Sequence, residues 1–139
     1  MSRAKNPLRI SLLALVLSLS AGAAGSAQAD QRTPTLLWPK ESIAASQSTK
    51  ALVIGHTGRA VKFAERALEN AKGYDRVVAL HNLCLGLLRQ GEGARATPVC
   101  TEAQTTSVAY DMQTVVEANI GLTRKAFTPK TTNVAEAAR

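Results

Sequence analysis

Two cysteines, Cys84 and Cys100, and one histidine a helical turn away, His81, are the residues of this 139-residue chain whose types and spacing could do chemistry. As thiolates they could join His81 in holding a metal, but that set lacks a fourth ligand at a characteristic spacing. If the cysteines pair with each other, it does not exist at all. Two free buried thiols are the remaining alternative. The chain contains no Cys-x-x-Cys redox pair, no Gly-x-Ser-x-Gly elbow and no His-Glu-x-x-His zinc helix. The string Gly55-His56-Thr57-Gly58-Arg59 has the look of a phosphate loop, yet no Lys-Ser/Thr follows it and no strand precedes it, so it reads as a turn. Nothing here argues for an enzyme, and no catalytic residue, cofactor or metal is assigned.

Which cysteine chemistry applies depends on the compartment, and the start of the chain bears on that. Arg3, Lys5 and Arg9 precede an apolar run from Ile10 to Leu19, and small residues follow, ending in Ala27-Gln28-Ala29. The run is short for a membrane span, and the A-x-A ending fits cleavage before Asp30. Residues 1–29 therefore read as a secretory signal peptide, with an uncleaved anchor helix as the alternative. Its removal takes three of the 17 basic residues and none of the ten acidic ones, so the formal charge falls by three from +7 to +4. In an exported chain a disulfide is the default for two cysteines.

The elements that must position these residues are helical. Leu80, Leu83, Cys84, Leu87 and Leu88 recur at the spacing of one helix face. Gly91 and Gly93 end that helix, and Ala96, Val99, Cys100 and Ala103 form a second, small-residue stripe. The turn centre at Glu92 is equidistant from Cys84 and Cys100, so an antiparallel hairpin sets them at one height. A disulfide needs Cα atoms about 4.4–6.8 Å apart, which facing positions on packed helices can just reach. Pro98 falls inside the second limb, predicting either a kink or a late start with Thr97 as N-cap and Pro98 at the first helical position.

Around the hairpin, residues 30–41 form an irregular lead-in whose Pro34 and Pro39 flank Leu36, Leu37 and Trp38 and which could fold back on the helices. A weak stripe of Ile43, Ala44, Gln47, Ala51 and Ile54 predicts a helix over Ser42–Ile54. Ala60, Val61, Ala64, Ala67, Leu68 and Ala71 predict a helix over Arg59–Lys72, with Lys62, Glu65, Arg66 and Glu69 as its solvated face. Asp75 is placed as N-cap of the hairpin's first helix. The polar run Gln104–Ser107 interrupts the path, and Val108–Ala126 forms a last helix through Val108, Met112, Val115, Val116, Ile120 and Leu122. Residues 128–139 read as a tail. The sum is an all-α domain over 42–127 with four to five helices.

The residues Leu83, Cys84, Leu87, Gly91, Ala96, Cys100 and Ala103 stand where the tetratricopeptide repeat has its own pattern, and the stretch resembles one such repeat. Gly55, Ala60, Ala64 and Ala67, 36 residues earlier, resemble the second half of a preceding one; the two residues beyond the family period of about 34 fall in Lys72–Asp75. The resemblance implies antiparallel hairpins stacked as a right-handed superhelix fragment, with the first helices lining a groove for an extended peptide or a partner helix. On this chain the groove-facing places are Val78, His81, Leu85, Leu88 and Arg89. Leu85 lies off the hairpin's packing stripe, although packing on a neighbouring helix would explain that as well. Arg89 could grip a carboxylate or simply sit solvated near a helix end.

With so few aromatic residues and a mild charge, no nucleic-acid surface is evident, and no stable membrane insertion is expected once the leading segment is removed. The function these observations imply is an exported, non-catalytic module that binds a protein or peptide in the bacterial envelope or outside the cell, touching His81, Leu85, Leu88 and Arg89. The alternatives are a structural subunit that associates with itself, and a metal- or thiol-dependent envelope protein using His81, Cys84 and Cys100.

Overall fold

The computed structural model describes residues 33–128; the signal-peptide reading of residues 1–29 and the tail from 129 onward lie outside them. Five helices follow one another: α1 (Ile43–Val53), α2 (Thr57–Leu68), α3 (Gly73–Arg89), α4 (Gly93–Ser107) and α5 (Gln113–Phe127), with a single 3-10 turn at Val108–Tyr110 before the last. There is no strand among the described residues. The expectation of an all-α chain holds.

Most of α3 is buried, from Asp75 almost without break to Leu87. A helix apolar on several sides needs neighbours on several sides, and α3 packs against each of the other four helices. Helices α1, α3 and α5 contact one another in sequence, while α2 and α4 fill the positions between them on the other side of α3. Short glycine turns make this layout reachable. Gly55 and Gly91 take positive φ, 77° and 76°, where a side chain would be strained, and each ends a helix as a left-handed C-terminal residue.

One close approach lies between α2 and α3. A Cβ placed on Gly86 would meet Val61 Cγ2 at 2.7 Å, so glycine is required there despite its cost within a helix. Between α3 and α4, Cys84 and Cys100 form a disulfide with a Cα–Cα distance of 4.9 Å. Arg76 pairs with Glu102 further along the same hairpin, at 2.7 Å; together the two links set the limbs antiparallel. Both sulfurs are fully buried.

Several boundaries differ from the sequence reading. Helix α4 starts at Gly93 and runs through Pro98 rather than beginning at Thr97. Pro98 sits in the second turn, so only the Ala94 carbonyl loses its partner, and Ala94 is exposed to water. The same helix continues through Gln104–Ser107 because the hydroxyls of Thr101, Thr105 and Thr106 donate back to carbonyls four residues earlier instead of competing with the helix. The last helix begins at Gln113, not Val108, because Asp111 adopts a left-handed φ of 55° and breaks the path. Val108 is consequently exposed.

Helix α1 departs most. Ile43 and Ile54, placed on its apolar stripe, are 76% and 63% exposed, whereas Ser48 and Thr49 are fully buried. The buried hydroxyls are satisfied: Ser48 Oγ donates to the Ala60 carbonyl at 2.8 Å, which joins α1 to α2. On α2 the solvated face is as expected, but Glu65 reaches across to Arg95 of α4, at 3.0 Å, as well as lying beside its own helix neighbours.

Closing a loop of 16 residues is worth about 3 kcal/mol, so urea denaturation of the Cys84→Ala, Cys100→Ala chain should show a loss near that size with helicity retained. In the same assay Gly86→Val should cost about 2 kcal/mol through overpacking against Val61; a neutral result would mean that α2 shifts freely.

Candidate functional site

Residues 33–42 contain no helix or strand, and they lie across the face made by α1, α3 and α5. Pro34 and Pro39 keep the residues before them out of helical backbone angles, which leaves main-chain groups that no helix satisfies. Three attachments supply partners for them.

The first is Asn119 on α5. Its side-chain oxygen accepts from the Thr35 N–H at 2.9 Å and its nitrogen donates to the Thr35 carbonyl at 2.7 Å, so a single amide grips both main-chain groups of one residue. The second is Thr49 on α1, whose hydroxyl donates to the Leu37 carbonyl at 2.9 Å. The third is Asp75 in the first turn of α3. Its carboxylate accepts from the N–H groups of Lys40, Glu41 and Ser42 at 2.7, 2.9 and 2.6 Å. Leu36 and Leu37 pack half-buried on the main core, while Trp38 remains half exposed. The Lys40 ammonium lies 5.0 Å from the centre of the Tyr74 ring, a further anchor at the α3 end.

Asp75 is thus not the N-cap of α3. That helix starts two residues earlier, at Gly73, and the carboxylate is turned toward the lead-in. Burial opposes its ionisation, but the three main-chain donors outweigh this and, with the Lys40 charge, hold the carboxyl below its ordinary 3.8.

Behind the first two attachments stand adjacent residues of α3. His81 contacts Asn119 at 3.1 Å, and Asn82 donates to Thr49 Oγ1 at 2.8 Å. Because Asn119 Oδ1 faces the Thr35 N–H, its nitrogen must donate to His81 Nε2. The imidazole is therefore neutral with its proton on Nδ1. Burial is the main cause that lowers the His81 pKa to about 4, with the Arg89 charge adding to it.

Of the residues singled out from sequence, His81, Leu85 and Val78 are fully buried within the helix assembly, so they present no open surface for a partner in this form. Leu85 belongs to the main core; its position off the hairpin stripe reflects packing on neighbouring helices. Leu88 is half-buried beside a shallow hollow lined by Gly91, Arg124 and Phe127. Arg89 is half-buried too. It neither grips a carboxylate nor sits solvated: Nη1 donates to the Leu52 carbonyl at 3.0 Å, in the last turn of α1, where a cation suits the helix dipole. Cys84 and Cys100 are spent in the disulfide and cannot serve as thiolate ligands. Among the described residues no three His, Cys, Asp or Glu side chains are grouped to hold a metal.

Sequence reasoning missed Thr49, Asn82 and Asn119. One signal was present. Asn119 stands within the apolar stripe of Val115, Val116 and Ile120, and Asn82 shares a helix face with Val78 and Leu85; a polar residue at a core position demands a buried partner.

These features define a class, an all-helical protein in which side chains of α1, α3 and α5 hold the chain's own lead-in by hydrogen bonds to its main chain. No protein-family model, curated protein or solved structure matches the chain.

His81 titrates lower in the folded protein than the ordinary 6.5 of the unfolded chain. Its contribution to stability is whole above pH 6.5 and is lost as the pH falls toward 4, by about 3 kcal/mol in all. Asp75 acts below that window, losing its contribution as the pH drops under 3.8. Urea midpoints measured from pH 7 to 4 should fall for the wild type and stay nearly flat for His81→Gln.

Proposed function

We propose that this chain is an exported, non-catalytic interaction module, a short tetratricopeptide-like array whose α1, α3 and α5 face takes a non-helical segment of a protein or peptide. The observation that carries the reading is a repeated register between alternate helices. Asn82 meets Ala45 and Arg89 meets Leu52, each pair 37 residues apart, and Asn119 meets His81 at 38. A near-constant offset is what stacked helix pairs produce, each pair resting only on its neighbours. The value exceeds the family period of about 34.

The inner face suits recognition of a main chain. Asn119 and Thr49 offer an amide and a hydroxyl to backbone groups, and core apolar surface lies beside them for side chains. Export is supported by the buried disulfide, which belongs to oxidising compartments, and by the leading segment's basic, apolar and A-x-A order. No helix among the described residues is long and apolar enough to cross a membrane. A second reading, self-association, draws on the exposed Ile43, Val53 and Ile54 of α1.

The test is capture of partners from the native envelope by the full chain. Binding of the captured partner should weaken by about tenfold or more with Asn119→Ala, the loss expected when one bidentate contact is removed, and should be unchanged by Lys62→Ala with Arg66→Ala on the solvated face of α2. The opposite pattern would overturn the reading. Capture of the chain by itself, lost on Ile43→Ser with Ile54→Ser, would replace it with self-association.

A further inference from the structure

We infer that residues 33–39 are a tethered ligand that closes the groove, so that an outside segment of similar chemistry binds only when the lead-in leaves; this rests on the groove reading above. The contacts themselves point to exchange. Asn119 and Thr49 hold the lead-in through the Thr35 N–H and carbonyl and the Leu37 carbonyl, groups that every residue other than proline possesses. Nothing in those bonds is particular to threonine or leucine.

Four buried side-chain atoms on α3 and α5 are also without partners. Asn82 Oδ1, Thr123 Oγ1, Arg89 Nε and His81 Nδ1 are buried without a hydrogen-bond partner. Asn82 directly supports the Thr49 attachment, and Thr123 lies one turn beyond Asn119 on α5. Buried polar atoms are nearly always paired, because leaving one unmade costs as much as a hydrogen bond gains. Asn82, which supports the Thr49 attachment, therefore has hydrogen-bonding capacity that the lead-in does not use.

The hold on the segment is uneven. At the α3 end three main-chain N–H groups and the Lys40–Tyr74 contact fix residues 40–42. Ahead of that anchor, Leu36 and Leu37 are only half-buried and Trp38 is half exposed. Residues 33–39 can swing out about the anchor while the helices stay packed. The incoming partner is a proline-punctuated, non-helical segment. It presents one residue with free N–H and carbonyl to Asn119 and aliphatic side chains at the next two positions.

The probe is a labelled synthetic peptide of residues 33–41, Thr-Pro-Thr-Leu-Leu-Trp-Pro-Lys-Glu, added to the full chain. A chain carrying Leu36→Asp with Leu37→Asp, changes confined to the tethered segment, should bind it at least about tenfold more tightly than wild type, since removing a competing occupant raises the binding-competent fraction. Adding Asn119→Ala should remove that gain. Equal binding by wild type and released chain, or none by either, overturns the closure.

Hydrogen exchange on the wild type tests the same point without any variant that could misfold. The Thr35 amide should exchange at least about tenfold faster than the amides of Leu83 and Ile120, as local opening requires; exchange of all three together would make the lead-in part of the core and end the proposal. A partner lost with Asn119→Ala that binds wild type and released chain equally would leave the groove in use and remove only its closure.

Discussion

Burial of α3 on nearly all sides constrains everything else in this protein. A helix carrying Val77, Val78, Leu80, Leu83, Leu85 and Leu87 around most of its circumference cannot be covered by one partner. Helices α2 and α4 take one side, with α2 brought close by Gly86 and α4 held by the disulfide. Helices α1 and α5 flank the other. Polar side chains, His81 and Asn82, remain between them, and burying them without partners would be costly. Asn119 from α5 and Thr49 from α1 meet them there, and both then extend to the lead-in. The main-chain clamp is in this sense a consequence of placing two polar residues in the middle of a buried helix.

That arrangement ties the lead-in to the core. Asn119 and Thr49, which hold the lead-in, are themselves buried members of the network around α3. The electrostatics are divided in the same way. Asp75 is an anchor whose carboxylate is held ionised by three N–H donors. His81 is a neutral support whose protonation would set an N–H against the Asn119 amide, turning an attraction into a conflict. Exposed ion pairs such as Arg76–Glu102 and Arg95–Glu65 add little to stability by comparison.

The chain's glycines and prolines act where backbone geometry is at stake. Gly86 permits the α2–α3 approach. Pro98 is accommodated early in α4 because only one exposed carbonyl goes without its bond. Pro34 and Pro39 keep the lead-in from continuing α1 backward as helix, which leaves its backbone free to be bound from outside.

Helix content, the α3–α4 hairpin and the cysteine pairing were legible in the sequence because each depends on local spacing: a 3.6-residue period, glycines at the turn, and two cysteines equidistant from it. The fold-back of the lead-in was legible only as an option that its composition allowed. The tertiary structure alone decided which helix faces are inside. Small polar residues such as Ser48 and Thr49 can be buried once a distant carbonyl accepts from them, and isoleucines such as Ile43 can be left outside when their helix turns that way. It also decided the roles of Asp75, Asn82, Arg89 and Asn119, whose partners lie 33 to 84 residues away. Periodicity records which residues share a face of one helix. It carries no record of which carbonyl or amide another part of the chain will bring to that face, because the pairing is set by long-range packing.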